Sequence, residues 1–201
     1  MTKKEAILKA AEELFGELGY TETTFKKIAS RAEVALGLVA HHFENKEKLF
    51  IAAGLDVLSR LRQSLREEIA KADNGLEGVL NFSRRYLEFS LHESNHFMVL
   101  IRCSPFSDMK DNVNKETIGA KFTELYTDLQ NCIALGLEDG SIHPEVEPEP
   151  TAYNVLANLS GSVRTQLLHP YAPPQFYAWA LRFIERSLAS PHANQFTTKS
   201  L

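Results

Sequence analysis

The sequence predicts an all-α fold of about nine helices, and three observations predict it. Apolar residues recur at spacings of three and four along nearly the whole chain, the period of one helical face. The periodic runs are separated by stop signals: Gly19, the cluster Asp73-Asn74-Gly75, Gly140 and a Pro-rich turn at 144–150. No stretch alternates apolar and polar residues as a half-buried strand does, and there is no repeat or low-complexity block.

The elements follow in order. Ile7, Ala10, Ala11, Leu14, Phe15 and Leu18 form one face of a helix at 3–19, which Gly19 stops. Thr24 is placed to cap a short second helix at 25–32, whose inner side carries Phe25, Ile28, Ala29 and Ala32. Glu33-Val34-Ala35 is a three-residue turn, and a third helix at 35–42 turns Val39 and Phe43 inward. Asn45 caps a long fourth helix from Lys46 to about residue 70, with Leu49, Phe50, Ala53, Val57, Leu61 and Leu65 in its stripe. Further helices are expected at 76–92, 95–103, 114–138, 151–168 and 174–189, and residues 191–201 read as a flexible tail.

Bulk properties narrow the function classes. At 201 residues with 44% hydrophobic content, the chain is long and apolar enough to bury a real core. No apolar run approaches the length of a membrane span, so no membrane partner is expected. The two cysteines, Cys103 and Cys132, sit in unlike apolar contexts, which argues against a disulfide and for a cytoplasmic protein. The net charge of -4 argues against a protein that coats nucleic acid. The excess is local, however: residues 1–50 are neutral, and the acids concentrate later, most visibly in EDGSIHPEVEPEP.

Three short helices with a tight turn between the second and third make a helix-turn-helix. A short third helix leaves its outer face free to enter a major groove about 12 Å wide. The capped start of the second helix can aim backbone N–H groups at a phosphate. Lys26 and Lys27 lie in the first turn of the second helix, and Lys46 and Lys48 in that of the fourth. Cations there oppose the helix dipole, so a phosphate ligand is their natural partner. Lys3 and Lys4 can form an N-terminal arm.

The segments AILKAAEELF, GY, TTFKKIA, AEVALGLVAHHF and NKEKLF, in register over about residues 3–55, resemble the DNA-binding domain of the TetR (tetracycline repressor) family. Beyond residue 55 the resemblance is limited to helix layout and the LGLEDGSIHPEVEP turn. The resemblance implies that Thr24 both caps and touches a phosphate, that Ala35, Leu36, Gly37 and Leu38 lie where bases are met, and that Lys46 grips a phosphate. His42-Phe43 matches the usual pair. The chain departs from the pattern at Glu33, where Gly is common, and at Ala35, where a Ser-like cap is common. It departs again at Ala40 and His41, where aromatics are common. Ala40 loses an expected phosphate contact, and His41 can replace the other, more strongly when protonated. An apolar reading face cannot form bidentate bonds to bases, so more reliance on backbone contacts and DNA shape is expected.

The implied organisation places the DNA-binding domain at 1–50, a linking fourth helix at 46–70, and a ligand-binding and dimerisation domain at 51–190. A homodimer on two half-sites of a palindromic operator is expected, with four helices from two subunits bundled at the interface. Ala157, Ser160, Gly161 and Arg164 on one helix, and Phe176, Ala180, Phe183 and Ile184 on the next, are the candidate contacts. Phe82, Tyr86, Phe89, Phe97, Phe122 and Tyr126, with Arg102 and Asn158 for polarity, are candidates to hold a small apolar or aromatic effector. Most members of the family are repressors released by a ligand, with a ligand-dependent activator as the alternative. No cofactor is expected.

One string points elsewhere. His92-Glu93-Ser94-Asn95-His96 has the H-E-x-x-H spacing of a zinc hydrolase. A catalytic zinc needs three protein ligands, and no third His follows at short spacing. Ser94 and Asn95 are also helix-starting residues, so the string is expected to straddle a helix end. No catalytic or metal site is expected. A helical protein-binding adaptor would explain the acidity but leaves Lys26, Lys27 and Lys46 idle.

Overall fold

A computed structural model describes residues 2–92, 94, 96–102, 112–169 and 171–190, with only the backbone at 112–115 and 117. Among the described residues there are nine helices: α1 (Lys3–Glu22), α2 (Phe25–Arg31), α3 (Leu36–Phe43), α4 (Lys46–Ile69), α5 (Gly75–Leu91), α6 (Met98–Arg102), α7 (Asn112–Asp139), α8 (Pro148–Leu168) and α9 (Phe176–Leu188). An isolated antiparallel bridge joins Ile142 and Ala189. No helix among these residues is long and apolar enough to cross a membrane.

The residues fall into two compact units, Met1–Leu61 with Ser90–Phe122, and Arg62–Phe89 with Thr123–Leu201. In the first unit α1 packs against α2, α3 and α6. Its core joins Ile7, Ala11 and Phe15 of α1 to Ile28, Val39, Leu49, Phe50 and Val99. Phe15 meets the Phe50 ring edge-on at 4.8 Å, a favoured aromatic geometry. Thr2 and Glu5 form a reciprocal capping box at the start of α1, worth about 1 kcal/mol. Gly19 breaks that helix with φ 80 and ψ 178, and Leu18 beside it is half exposed although it continues the apolar stripe.

In the second unit α8 packs on α9. Phe82, Leu125, Leu129, Ile133, Leu159 and Val163 are fully buried. The start of α5 is held by the end of α7. The Gly75 N–H donates to Asp139 Oδ2 at 2.7 Å, and that of Leu76 to Ser141 Oγ at 3.0 Å. Any side chain at Gly75 would run into the backbone of Gly136, so only glycine allows this approach. Arg62 of α4 is bound by Asp128, at 2.7 Å, and Glu124 of α7.

Several boundaries differ from those the sequence predicts; α1, expected to stop at Gly19, resumes past it to Glu22, and three others have a local physical reason. The helix expected from 95 starts at Met98, because His96 takes a left-handed φ of 51 that a helix cannot include. The helix expected from 151 begins at Pro148, since proline at the first helical position gives up an N–H that would have no partner there. The helix expected from 174 starts at Phe176, whose N–H returns to the Pro173 carbonyl at 2.9 Å. Cys103 and the expected tail at 191–201 lie outside the described residues.

Candidate nucleic-acid interface

The helix-turn-helix is built as its residues suggest. Thr24 is extended and its hydroxyl accepts the Lys27 N–H at 3.2 Å, capping α2. After α2, Glu33 takes a left-handed φ of 54 and turns the chain toward α3. This is the position where the family pattern has Gly, and a Cβ there carries a steric penalty. Ala35 precedes α3 without a side-chain cap.

The two sides of α3 differ. Val39 and Phe43 are buried in the core, and Leu38 packs partly against it. Leu36 is 52% exposed, and Ala35, Gly37, Ala40 and His41 are exposed with it, while His42 is half-buried. A Cβ at Gly37 would meet nothing within 4 Å. The His41 and His42 rings meet at 5.4 Å.

The candidate phosphate cations are not equivalent. Lys26 is exposed. Lys27 Nζ donates to the Glu22 carbonyl at 2.7 Å. Lys46 Nζ lies 4.3 Å over the Tyr20 ring and donates to the carbonyls of Tyr20, at 3.0 Å, and Thr21. Lys46 therefore ties the start of α4 to the end of α1. Lys48 pairs with Glu44 at 2.6 Å, and its N–H is capped by Asn45 Oδ1 at 2.8 Å. Lys4 Nζ sits 5.9 Å from the centre of the Phe43 ring.

Three supporting residues do not stand out in the sequence. Tyr20 is the platform under Lys46. Thr23, fully buried, donates its hydroxyl to the carbonyls of Leu14, at 3.0 Å, and Gly19, at 2.7 Å, repairing the break in α1. A threonine just past a helix-stopping glycine is a usable signal for this. Glu12 is 3% exposed and pairs with Arg60 of α4, which also binds Asp56 at 2.9 Å. Burial pushes its carboxyl up to about 7 despite Arg60.

The candidate effector residues are divided. Phe97, Arg102 and Phe122 belong to the first unit, and Phe82, Tyr86, Phe89, Tyr126 and Asn158 to the second. Arg102 donates to the Phe15 carbonyl at 3.1 Å, so its guanidinium braces α1. Phe82, Phe89 and Phe97 are buried. Tyr86 is buried with its hydroxyl 3.2 Å from Ser160 Oγ, and burial raises its phenol to about 12. Tyr126 packs against Tyr153 with ring centres 4.2 Å apart and the rings tilted by 34°. Asn158 lines a groove of about 500 Å³ between α8 and α9 with Phe183 and Ile184. Its buried Oδ1 has no hydrogen-bond partner among the described residues.

On the candidate dimer face Ala157, Ser160, Gly161 and Arg164 of α8 are exposed. On α9, Phe183 is 62% exposed and Phe176 is partly so, but Ala180 and Ile184 are buried within the chain. Those two pack α9 onto its own subunit and leave the outer face to Trp179, 52% exposed, which apolar spacing alone does not single out.

The H-E-x-x-H string does not present two histidines on one helical turn. Helix α5 ends at Leu91, so His92 lies beyond it, and His96 has its left-handed turn before α6. Burial lowers the His96 imidazole below its usual value. Glu93 and Asn95 lie outside the described residues.

Residues 7–53 match a family model described as bacterial regulatory proteins, tetR family. The chain is 27% identical to the HTH-type transcriptional regulator YhgD of Bacillus subtilis over 161 residues, 77% of this chain and 78% of YhgD. It is 30% identical to the HTH-type transcriptional repressor AcnR of Corynebacterium efficiens over 90 residues, 43% of this chain and 45% of AcnR. Its fold matches the crystal structure of the transcriptional regulator FadR from Bacillus subtilis in complex with stearoyl-CoA, with a TM-score of 0.77 at 17% identity, over 91% of this chain and 98% of FadR. The helix-turn-helix at 7–53 is thus the part of the chain that matches the bacterial tetR-family regulatory proteins, and the fold as a whole is similar to that of the transcriptional regulator FadR.

Proposed function

We propose that this regulator is a repressor that binds a palindromic operator as a homodimer and is released by a small apolar effector. The observation that carries the reading is the outer face of α3, exposed and free of any packing duty, beside the capped start of α2 and its exposed Lys26. In this reading Thr24, Lys26, Lys27, His41 and Lys46 meet phosphates, Ala35, Leu36 and Gly37 face the bases, and His42 lies beside them. Leu38 supports that face from the core side.

Residues 1–50 then serve DNA, the fourth helix links, and 51–190 serve ligand and partner. Trp179 and Phe183 of α9 with the small residues of α8 form the face for a second subunit, setting two recognition helices about 34 Å apart. The effector is an apolar or aromatic molecule held among Phe82, Tyr86, Phe89 and Tyr126. The same fold in FadR accommodates stearoyl-CoA, in keeping with an apolar ligand. An effector that prefers another spacing of the fourth helices weakens DNA binding by the factor by which DNA weakens effector binding. A cytoplasmic location follows from the operator as partner.

The test is retardation of the gene's own upstream DNA by the full-length protein, with and without candidate apolar compounds. Sequence-selective binding that the combined Lys26→Ala and Lys46→Ala variant loses while staying folded supports the reading. Absence of selective binding to any duplex, or no compound-dependent release in a broad thermal-shift and retardation screen, counts against its respective half.

A further inference from the structure

We propose that Leu36 is the specificity-determining residue of α3 and that it reads thymine through its C5-methyl group. The inference rests on α3 being the helix that meets DNA.

From Ala35 to Ala40 the residues are Ala, Leu, Gly, Leu, Val and Ala, so no side chain in the first turn and a half can donate or accept a hydrogen bond. The major groove offers donors and acceptors to polar side chains, and one apolar feature, the thymine methyl. Within this run the fold has already used Val39, and Leu38 in part, for the core. Leu36 is the one large side chain left outside, 52% exposed. An exposed leucine gains nothing for the folded chain alone, and gains on leaving water against a methyl group.

Its neighbours favour close approach. Gly37 has open space where a Cβ would sit, so the fold does not require glycine there, and its bare backbone lets the helix come near a surface. Ala35 and Ala40 add little bulk. Charge selects the kind of partner. Lys26 is exposed on the adjoining α2, and Lys48 and Lys4 stand near the far end of α3 through Glu44 and Phe43. A protein partner would be met by a broader apolar surface than one leucine among alanines. His41 is the first exposed polar side chain along the helix, and in this arrangement it lies toward the edge of the contact.

The experiment selects tight-binding duplexes from a random pool with the full-length protein, then replaces each thymine by deoxyuridine. This change keeps base pairing and every hydrogen-bonding group and removes only the methyl. One position in each half-site is expected to lose about fourfold in affinity, and about fifteenfold when both half-sites are changed. Leu36→Ala, whose exposed position leaves folding intact, should weaken binding to the thymine duplex and respond equally to thymine and deoxyuridine. If the selected duplex binds tightly and tolerates deoxyuridine everywhere, the thymine reading is overturned while DNA binding stands. The same holds if Leu36→Ala keeps the thymine preference. If no duplex is enriched, the DNA-binding role of α3 fails with it.

Discussion

The outer face of α3 and the outer face of α8 and α9 both leave apolar side chains in water, and they do so differently. On α3 a single leucine stands among glycine and alanines, with lysines on the adjoining elements. On α8 and α9 large apolar side chains, Tyr153, Leu168, Trp179 and Phe183, are exposed beside the small Ala157, Ser160 and Gly161. A narrow, low-bulk strip with cations nearby suits a nucleic-acid groove, where phosphates supply most of the affinity. A face of spaced aromatics suits a protein partner, where a few large buried anchors carry the binding. The size of the apolar groups and the charge around them, more than hydrophobicity itself, separates the two.

The largest effect should come from breaking the aromatic face. Combining Trp179→Glu and Phe183→Glu should convert dimer to monomer in sedimentation or light scattering. It should lower operator affinity by about a hundredfold or more, because each anchor contributes on the order of 2 kcal/mol. Retained dimers would show that the aromatics serve something else.

Removing lysines should weaken binding less and without sequence preference. Lys26→Ala should reduce affinity about equally for all duplexes and flatten the salt dependence, by about one in log–log slope for each phosphate no longer neutralised. Lys46→Ala should do the same and also lower the melting temperature, because Lys46 holds Tyr20 and the end of α1. A salt slope unchanged in both variants would contradict a role in gripping phosphate.

Smaller again is the strain in the turn that presents α3. Glu33→Gly should stabilise the first unit by about 1 kcal/mol, as a left-handed residue loses its steric penalty. Thermal melts measure it, and a neutral or lowered melting temperature would show that Glu33 makes a compensating contribution.

The smallest effect is a slope. Folding raises the Glu12 carboxyl from 4.5 to about 7 by burial, so the folded chain holds this proton more tightly than the unfolded chain. The stabilising contribution is full below pH 4.5 and declines as pH rises through about 7. Glu12→Gln should flatten the melting temperature between about pH 5 and about pH 8 relative to the parent, and an unchanged profile would assign the slope to other groups.

What can be read from sequence is local. Helix order, the Thr24 and Asn45 caps and the inward Val39 and Phe43 follow from spacing and short-range capping, and the structure has them. What cannot be read depends on partners far along the chain. Its polarity beside an apolar stripe makes Arg102 a candidate ligand contact, but it braces the Phe15 carbonyl 87 residues away. Glu12 is buried by a pairing with Arg60, 48 residues on. On α9, periodicity groups Ala180, Ile184 and Phe183 as apolar and cannot say which of them face the chain's own core. The tertiary packing assigns the first two inward and sets Phe183 and Trp179 outward.

The idle outer surface of α3 has a consequence for how such regulators diverge. Leu36, Gly37, Ala40 and His41 hold nothing together, whereas Val39, Phe43, Thr23 and Lys46 hold the domain in shape. If α3 meets DNA as proposed, substitutions that change which DNA is chosen would fall on positions where folding imposes little selection. Retargeting this regulator to a new operator, in nature or by hand, starts from residues that are free to drift.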